Sequence, residues 1–558
     1  MAGVVIRRVL IGALVLVVAI CTYPGELVVS LATLASPATS PPALPPGALP
    51  WLHVAHPLVA RPYIADEVGR MVLLHGATPA GLLEFGPGSA PLNPIDPAAY
   101  VDGRCPALNP SSKYPPLCRA DLQAMAALGF NSMRLPISWS VLEPRRGEFS
   151  QTLVDRIAQI VDWARDLRMY VIIDMHQNAF SHYVAPGDGV NLTYNSGAPS
   201  WATITDGFPS RALEGQRELN PAVFQATTNF WYDRDGIQDE YIAALAFVAR
   251  RFVSDSVVAG YGLYNEPWPG WNLSVGFDDL LLFPFYRRLI DAITGVRDGL
   301  PCWSGFFMPA VCGYRDLGVG DRRHLMFLDT GLPREIADFP THLGLPVSSY
   351  PNLVLGLHAY THVYTPDQLV FHQKPRDATY PWAGYDQGYA LAEREAKAMG
   401  AALFVEEFGN NPDDDDAILA AQLLEQEKHT VGFEFWTWKE KGGGSAWGVF
   451  DPAVPCLRPD REQLLARVYP LQTAALGVRF HYDSSDGSFT LQASGKSGDP
   501  DTVVYVPHEV TGAVSANGAV RTVVIDQPDG NRLVLASPTG GGFSIGVSGA
   551  PLRLSGCG

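Results

Sequence analysis

The sequence predicts an α/β protein, a (β/α)8 TIM barrel with a C-terminal β-sandwich domain. Short apolar segments alternate with helical segments over most of the chain, which is typical of a parallel sheet. Several of these apolar segments end in polar residues, and functional side chains of such barrels lie at the carboxyl ends of the strands. After about residue 476 the helical periodicity stops. Short alternating runs separated by Gly, Asp, Asn and Pro follow, as in a small sandwich.

The chain has 558 residues, which is too long for one ordinary domain. We divide it into a signal peptide or N-terminal anchor (1–35), a Pro-rich linker (36–50), the barrel (51–474) and the sandwich (475–558). Arg7 and Arg8 precede Val9–Ile20, an apolar run typical of a signal sequence and short for a membrane span. We therefore expect a secreted or cell-surface protein. A retained anchor is the alternative to cleavage.

Six of the seven cysteines follow the predicted signal sequence, and export would bring them into an oxidising compartment. Proximity in the sequence favours the pairs Cys105–Cys118, Cys302–Cys312 and Cys456–Cys557. Six cysteines allow fifteen connectivities, so other pairings stay open.

Eight strands are predicted, each a short apolar run: Met71–His75, Phe130–Pro136, Tyr170–His176, Val258–Glu266, Leu325–Thr330, Leu353–Tyr360, Ala402–Phe408 and Val431–Trp438. Helical spacing is found in Cys118–Leu128, Leu153–Leu167, Asp239–Phe252, Asp278–Val296, Tyr389–Met399, Asp415–Glu427 and Arg461–Val468. A long insertion rich in aromatic residues, Gln177–Gln238, interrupts this order, and insertions of that length are usually functional. The sandwich would brace the barrel, with contact to sugar or membrane as the alternative.

Composition excludes some classes of partner. Acidic residues outnumber basic ones by 57 to 40, which gives a net charge of −17 and argues against nucleic acid. Aromatic residues make up 11% of the chain, with 12 Trp, and part of this excess would suit stacking on sugar rings. The histidines and cysteines lack the spacing of metal sites, so we expect neither a metal ion nor a cofactor.

Two carboxylates follow predicted strands. Glu266 lies in the motif Asn265-Glu266-Pro267, and Glu407 ends the apolar run that begins at Ala401. Two carboxylates that face one cavity are what cleavage of a glycosidic bond needs. Glu266 is the candidate acid/base, and Asn265 could donate to a sugar hydroxyl. Neighbouring strand residues point to opposite faces, so the alternation by itself does not decide between Glu406 and Glu407 as the nucleophile.

Other predicted strands also end in polar or aromatic side chains. Arg134 could keep the nucleophile ionised by pairing with it, and Tyr360 could donate a hydrogen bond to it. His176 and His358 end two further strands. Trp436 ends the eighth, where an aromatic ring would form the floor for the reacting sugar.

At these motifs the sequence resembles glycoside hydrolase family five. Glu407-Phe408-Gly409 matches the nucleophile motif of that family, and Arg134, His176, His358, Tyr360 and Trp436 match its strand ends. Asp174–Gln177 and Gly197–Thr203 are similar to stretches of the endoglycoceramidases within it. The resemblance implies Glu407 as the nucleophile and Trp201 on the glycan side. One departure is Asn178, where the family has an aspartate, and this leaves the preferred first sugar open.

The resemblance also implies the reaction. It would be hydrolysis, with retention and without a cofactor, of the β-glycosidic bond between the glycan and ceramide of a glycosphingolipid. The substrate would be met at a membrane or micelle surface, by a monomer. An endo-β-glucanase or mannanase acting on soluble polysaccharides is the alternative function, and a non-catalytic glycan-binding protein is a third.

Overall fold

A computed structural model describes residues 48–555, apart from residues 59, 84–90, 102, 191, 193–194, 214–215, 298, 303–307, 314, 339, 342–346, 361–384, 411–415 and 443–445. The predicted signal sequence and most of the linker lie outside the described residues, and both stay predictions. Within the described ranges no helix combines the length and apolar character needed to cross a bilayer.

The described chain begins with three short strands that lie outside the barrel: β1 (His53–Ala55), β2 (Tyr63–Ala65) and β3 (Met71–Val72). They pair antiparallel with one another, and β3 pairs with Tyr469–Thr473. The prediction of one barrel strand over Met71–His75 is therefore wrong in its first half. The chain passes between the two sheets at Leu73 and Leu74, which are both buried, so the apolar run gives no sign of the change.

Eight parallel strands form the closed barrel. They are β4 (His75–Ala77), β5 (Ser132–Ser138), β6 (Tyr170–His176), β7 (Val258–Gly262), β8 (Leu325–Asp329), β9 (Leu353–His358), β10 (Ala402–Phe408) and β11 (Phe433–Phe435). The strands follow one another in sequence order around the barrel, and β11 closes it by pairing with β4. The predicted fold class is confirmed, and every predicted barrel strand overlaps an observed one.

Helices surround the barrel: α1 (Arg119–Ala127), α2 (Trp139–Leu142), α3 (Gln151–Asp166), α4 (Pro221–Trp231), α5 (Ile237–Phe252), α6 (Phe283–Thr294), α7 (Leu332–Ala337), α8 (Tyr385–Met399), α9 (Asp416–His429) and α10 (Pro459–Leu465). The sequence analysis missed α4, which lies inside the aromatic insertion. Its start follows the usual rules, because the Asn220 side chain accepts from the Ala222 amide and Pro221 takes the first helical position. The helix predicted at Asp278–Val296 is preceded by a π-helical turn over Asp278–Leu282.

After the barrel the chain forms a hairpin, β12 (Phe450–Asp451) and β13 (Cys456–Leu457), and then the strands of the sandwich. These are β14 (Tyr469–Thr473), β15 (Leu476–Asp483), β16 (Ser488–Gly495), β17 (Thr502–Val506), β18 (Val514–Asp526) and β19 (Arg532–Val547). With β1–β3 they make one antiparallel sheet of nine strands around a separate apolar core. Two of the short alternating runs expected in the sandwich, Arg532–Ala536 and Ser544–Val547, are the two ends of β19, because Gly540 and Gly541 adopt positive φ and carry the strand onward.

The domain limits differ from the expected ones because β1–β3 and β14 belong to the sandwich sheet. Residues 53–72 and 469–473, which the sequence analysis assigned to the barrel, pair in the sandwich sheet.

Two of the three predicted disulfides are confirmed. Cys105–Cys118 and Cys302–Cys312 are bonded, with Cα–Cα distances of 5.6 and 5.7 Å. The third predicted pair includes Cys557, which lies outside the described residues.

The sandwich packs against the amino-terminal end of the barrel. Tyr469 stacks on His75, the first residue of β4, with ring centroids 3.9 Å apart, and its hydroxyl donates to the Gly129 carbonyl at 3.0 Å. Gly129 has φ +98°, and a Cβ at this position would lie 2.3 Å from the Tyr505 ring. Because functional sites of barrels lie at the carboxyl-terminal end, the sandwich lies on the opposite side from that end.

We predict that Gly129→Ala lowers the free energy of unfolding because the methyl group strains the backbone and displaces Tyr505. Gly147→Ala is the matched control, since Gly147 also has positive φ (+77°) but a Cβ there meets nothing within 4 Å. Urea denaturation should show Gly129→Ala to be less stable than the control by about 1–3 kcal/mol, the usual cost of overpacking. Equal stability of the two variants would contradict the interface described above.

Candidate active site

Arg134 lies at the centre of a polar site at the carboxyl-terminal end of the barrel. Its side chain, on β5, is completely buried. Nη1 donates to Glu407 Oε2 at 2.8 Å, and Nη2 donates to Asn265 Oδ1 at 2.8 Å. Nη2 is also 3.0 Å from Asp174 Oδ1 on β6. The guanidinium therefore joins side chains from two other strands, β6 and β10, and from the segment after β7.

Glu266 and Glu407, the two predicted catalytic carboxylates, face each other. Together with a ring nitrogen of His358, one oxygen of each lies within 4.8 Å of the others. Tyr360 donates to Glu407 Oε1 at 2.6 Å, and His358 Nδ1 is 3.2 Å from Glu266 Oε1. This spacing matches the roughly 5 Å of retaining glycosidases and is shorter than the roughly 6.5–9.5 Å of inverting ones.

Glu266 has an unusual backbone conformation. Its φ is +43°, in the left-handed region that costs a non-glycine residue on the order of 1–3 kcal/mol. Two side chains hold it there. Its amide donates to Asp329 Oδ2 at 3.0 Å, and its carbonyl accepts from Gln177 Nε2 at 2.9 Å. The carboxylate is thus aimed by its backbone as well as by His358.

His176, at the end of β6, stacks on Trp436 with ring centroids 5.4 Å apart and an interplanar angle of 5°. Its Nδ1 is 2.8 Å from Asp174 Oδ2, and its Nε2 is 3.1 Å from the Asn178 amide nitrogen. Asn178 Oδ1 accepts from Arg217 at 3.1 Å, which turns the amide nitrogen towards His176. In this arrangement Nε2 accepts from Asn178 and Nδ1 donates to Asp174.

Trp201 is the predicted site residue with the least connection to this cluster. Its indole donates to the Glu143 carbonyl at 3.2 Å, lies edge-on to Trp139, and is covered by the Arg146 guanidinium. Within the described part of the chain, no hydrogen bond or ring contact joins it to either carboxylate. It is partly exposed and borders the same end of the barrel, on the β6 side.

Four more acidic side chains lie behind the two carboxylates: Asp174, Asp329, Glu335 and Glu406. Asp329 and Glu335 were not predicted from the sequence, although the polar end of β8 was a signal for Asp329. Glu406 was the alternative nucleophile, and the family resemblance decided for Glu407. The pairing of β10 with both neighbours shifts register at this point, and both glutamates are buried inside the barrel.

Glycines on neighbouring strands make room for these buried acids. A Cβ at Gly356 would lie 2.3 Å from Glu406 Oε2 and 2.8 Å from Asp329 Oδ1. A Cβ at Gly262 would lie 2.5 Å from Asp174 Oδ1. Any larger residue would therefore displace a carboxylate of the site.

The buried charged side chains of the site shift one another's pKa values. Burial would lower the pKa of His358, but Asp329, Glu335 and Glu407 raise it well above the ordinary value. Burial would raise the pKa of Glu266, but the hydrogen bond and charge of His358 lower it. Burial raises the pKa of Glu407, and His358 and Arg134 limit that rise. His358 is therefore the cation that both carboxylates share.

Glu406 and Glu335 differ from this pair. Burial raises the pKa of each well above that of an exposed glutamate, and the nearby charge of Asp329 adds to the rise. Neither Glu335 oxygen has a hydrogen-bond partner among the described residues. Both side chains therefore keep their protons to higher pH than an exposed glutamate does.

Two groups of donors are close enough to hold a metal ion: Glu266, His358 and Glu407, and Asp329, His358 and Glu406. Both need His358, which is protonated between its carboxylates, and Arg134 already supplies a cation to Glu407. The donor sets therefore do not favour a divalent ion.

Comparisons with known proteins agree with this geometry. The family model described as cellulase (glycosyl hydrolase family 5) matches residues 112–293. Endoglycoceramidase I of Rhodococcus hoagii (strain 103S) is 25% identical over 471 residues, which are 80% of this chain and 78% of that protein. A crystal structure of endogalactoceramidase has a TM-score of 0.66 at 25% identity, covering 90% of this chain and 100% of the other.

A further solved structure has the same fold. Endo-glycoceramidase II from Rhodococcus sp., in a complex with ganglioside GM3, has a TM-score of 0.67 at 22% identity and covers 88% of this chain and 100% of that chain. The barrel, its sandwich and these relatives define the chain as a glycosidase. Its residues 112–293 resemble glycoside hydrolase family 5, and most of its length resembles the endoglycoceramidases, so the resemblance drawn from the motifs is confirmed.

We predict that His358→Gln shifts the whole pH–rate profile of glycoside hydrolysis upward by about one unit. The His358 cation lowers the pKa of Glu266 and limits that of Glu407, so both values rise when the cation is removed. The acid and alkaline limbs of kcat/KM should then both move to higher pH.

His324→Gln is the control for this measurement. His324 is also buried and paired with an aspartate, Asp321, at 2.6 Å, but it precedes β8 at the opposite end of the barrel. The pH–rate profile of His324→Gln should have the same acid and alkaline limbs as that of the wild type. A downward shift in His358→Gln would show that His358 is not cationic in the free enzyme.

Proposed function

We propose that this protein is a retaining glycosidase that cleaves the β-glycosidic bond between the glycan and ceramide of glycosphingolipids. The observation that carries this proposal is the pair Glu266 and Glu407, with oxygens within 4.8 Å across the barrel mouth. The endoglycoceramidase relatives support the substrate class. We also propose, from the sequence, that the protein is secreted or displayed at the cell surface, is monomeric, and meets its substrate at a membrane or micelle surface.

Glu407 is the proposed nucleophile. One of its oxygens attacks the anomeric carbon as the bond from that carbon to the ceramide oxygen breaks. Arg134 and Tyr360 each bind one oxygen of this carboxylate, and so fix its orientation before attack. Asn265 is held by Arg134 through its oxygen and by the Gln177 carbonyl through one amide hydrogen, which leaves the second hydrogen for a sugar hydroxyl.

Glu266 is the proposed acid/base. In the first step it gives its proton to the departing ceramide oxygen, and in the second it takes a proton from the water that releases the glycan. His358 holds a proton 3.2 Å from Glu266 Oε1. A proton is therefore available at Glu266 although His358 lowers the pKa of that carboxyl.

Trp436 and His176 present stacked rings to the reacting sugar in this proposal, and Asn178 and Arg217 lie beside them. The family aspartate at position 178 would place a second carboxylate on His176, in addition to Asp174. Asn178 instead places an uncharged amide there, so the sugar site of this protein carries a different pattern of donors and charges. Trp201 would contact more distant sugars of the glycan.

The function is tested by incubating the enzyme separately with a ganglioside, with galactosylceramide and with a soluble β-glucan, and separating the products by thin-layer chromatography. Release of ceramide together with the intact glycan supports the proposal. Cleavage of the glucan with no ceramide from either lipid would instead assign the protein to soluble polysaccharides, the alternative considered from the sequence.

We predict that Glu407→Gln lowers turnover of every substrate by a factor on the order of 10⁴ or more, since no other group can form the covalent intermediate. Glu266→Gln should lose the ceramide substrate but keep substantial activity on a dinitrophenyl glycoside, whose leaving group needs no proton. Glu406→Gln is the control, because glutamine keeps the size of this neighbouring buried side chain, whose carboxyl has a raised pKa. A larger loss in Glu406→Gln than in Glu407→Gln would reverse the assignment of the nucleophile.

We predict that Asn178→Asp changes the ratio of kcat/KM between a glucose-linked and a galactose-linked ceramide by about tenfold, corresponding to one altered hydrogen bond of about 1.4 kcal/mol. The new carboxylate would pair with Arg217 and remove the amide donor beside His176. Steady-state assays on the two lipids give the ratio. Asn229→Asp serves as the control, because Asn229 binds Asp206 at the outer edge of the insertion. An unchanged ratio in Asn178→Asp would show that the residue at position 178 does not determine which sugar is preferred.

A further inference from the structure

Exposed apolar side chains are concentrated beside the candidate acid/base. The loop after β7 carries Trp271, Leu273 and Val275, whose exposed fractions are 49%, 72% and 75%. The neighbouring insertion adds Phe208 and Leu213, at 42% and 46%. In the described part of the chain, Phe208 and Trp271 are the only aromatic side chains classed as exposed. We call these five residues the rim patch.

The loop and the insertion meet at Trp271, which rests on a firm base. The Trp271 ring contacts Phe208 and Phe224 at centroid distances of 5.7 and 4.9 Å. The Trp271 amide donates to Thr228 Oγ1 on α4 at 2.9 Å. A Cβ at Gly270 would lie 2.4 Å from that same hydroxyl, so the loop lies flat against the helix. The apolar side chains of the loop are thereby held outward.

The position of the rim patch relates it to the leaving group. Its first loop begins directly after Glu266, which we propose protonates the departing ceramide. Both contributing segments follow barrel strands, β6 and β7, and so lie at the carboxyl-terminal end with the site. The rim patch is therefore at the same end of the barrel as the residue that would protonate the departing ceramide.

We propose that the rim patch docks the enzyme on the surface of a neutral, zwitterionic lipid bilayer by inserting its apolar side chains between the head groups. The inference rests on the proposed function, because only a substrate held in a lipid phase calls for such a surface. Residues 267–277 contain no charged side chain. A tryptophan at the level of the head groups is the usual anchor of such surfaces.

The net charge of the protein determines which type of bilayer it can bind. The chain carries a net charge of −17, so an anionic surface would repel it, and no basic cluster in the rim loop offsets this. Docking therefore depends on apolar insertion. A second copy of the chain is a poorer occupant, since a stable dimer buries about 800 Å² on each partner and five side chains on two loops supply less.

The test compares the full-length enzyme with the triple variant Trp271→Ser/Leu273→Ser/Val275→Ser. Co-sedimentation with phosphatidylcholine vesicles that contain no glycolipid measures docking without turnover. We expect the variant to bind at least tenfold more weakly, and wild-type binding to fall when phosphatidylserine is added. Activity on a soluble aryl glycoside should be equal in both proteins, which shows that the variant is folded.

The matched control is Val454→Ser/Leu476→Ser/Val523→Ser, which removes similar exposed apolar side chains (55%, 73% and 58%) outside the rim patch. It should bind vesicles as the wild type does. Equal binding by wild type and rim variant, equal loss in both variants, or a wild-type dimer in sedimentation equilibrium that the rim variant lacks would each overturn the proposal. Vesicle binding without ceramide release from any glycolipid would instead refute the proposed function and leave the docking result intact.

Discussion

The site depends on one completely buried arginine. An arginine without water must be matched by carboxylates, because an uncompensated buried charge costs several kcal/mol. Burial would lower the pKa of Arg134, but Asp174, Glu406, Asp329 and Glu407 raise it well above its usual value. Every barrel strand that supplies one of these acids is thereby fixed relative to β5. The position of the nucleophile follows from this requirement as much as from the loops above it.

The acids of the site are accommodated by the barrel wall. Barrel interiors are commonly filled by layers of branched apolar side chains. Here Glu406 and Asp329 occupy the space beside Gly356, Asp174 the space beside Gly262, and Glu434 the space beside Gly76. Glu434 is itself buried and binds Ser132 Oγ at 2.6 Å. Each of these acids thus occupies space that a glycine on a neighbouring strand leaves open. The layer of polar side chains therefore extends from the mouth of the barrel into its interior.

Much of this fold could be predicted from its sequence, because the spacing of apolar residues and the polar residues that end a strand can be recognised in short segments of the chain. Tyr170–His176 and Ala402–Phe408 have their predicted limits, and Arg134, Tyr360 and His358 lie beside the two carboxylates as the strand ends suggested. What could not be predicted depends on contacts between strands. The register shift beside Glu407 places Glu406 inside the barrel, against the alternation rule.

Other misses have the same origin. Met71–His75 reads as one apolar run although its halves pair in different sheets. Arg217 lies in an insertion without periodicity, and only the folded chain brings it to Asn178. Trp201 matches a family motif, but its contacts are with Trp139 and Glu143, so its part in binding depends on sugars beyond the first.

β3 pairs with β14, although the whole barrel lies between these two strands in the sequence. The sandwich is a discontinuous domain, and the barrel is an insertion between two of its adjacent strands. A cut near residue 474 would therefore leave β1–β3 and β14 with the barrel and separate β14 from its other neighbour, β17. A single cut in the chain thus cannot exchange the sandwich as a complete sheet.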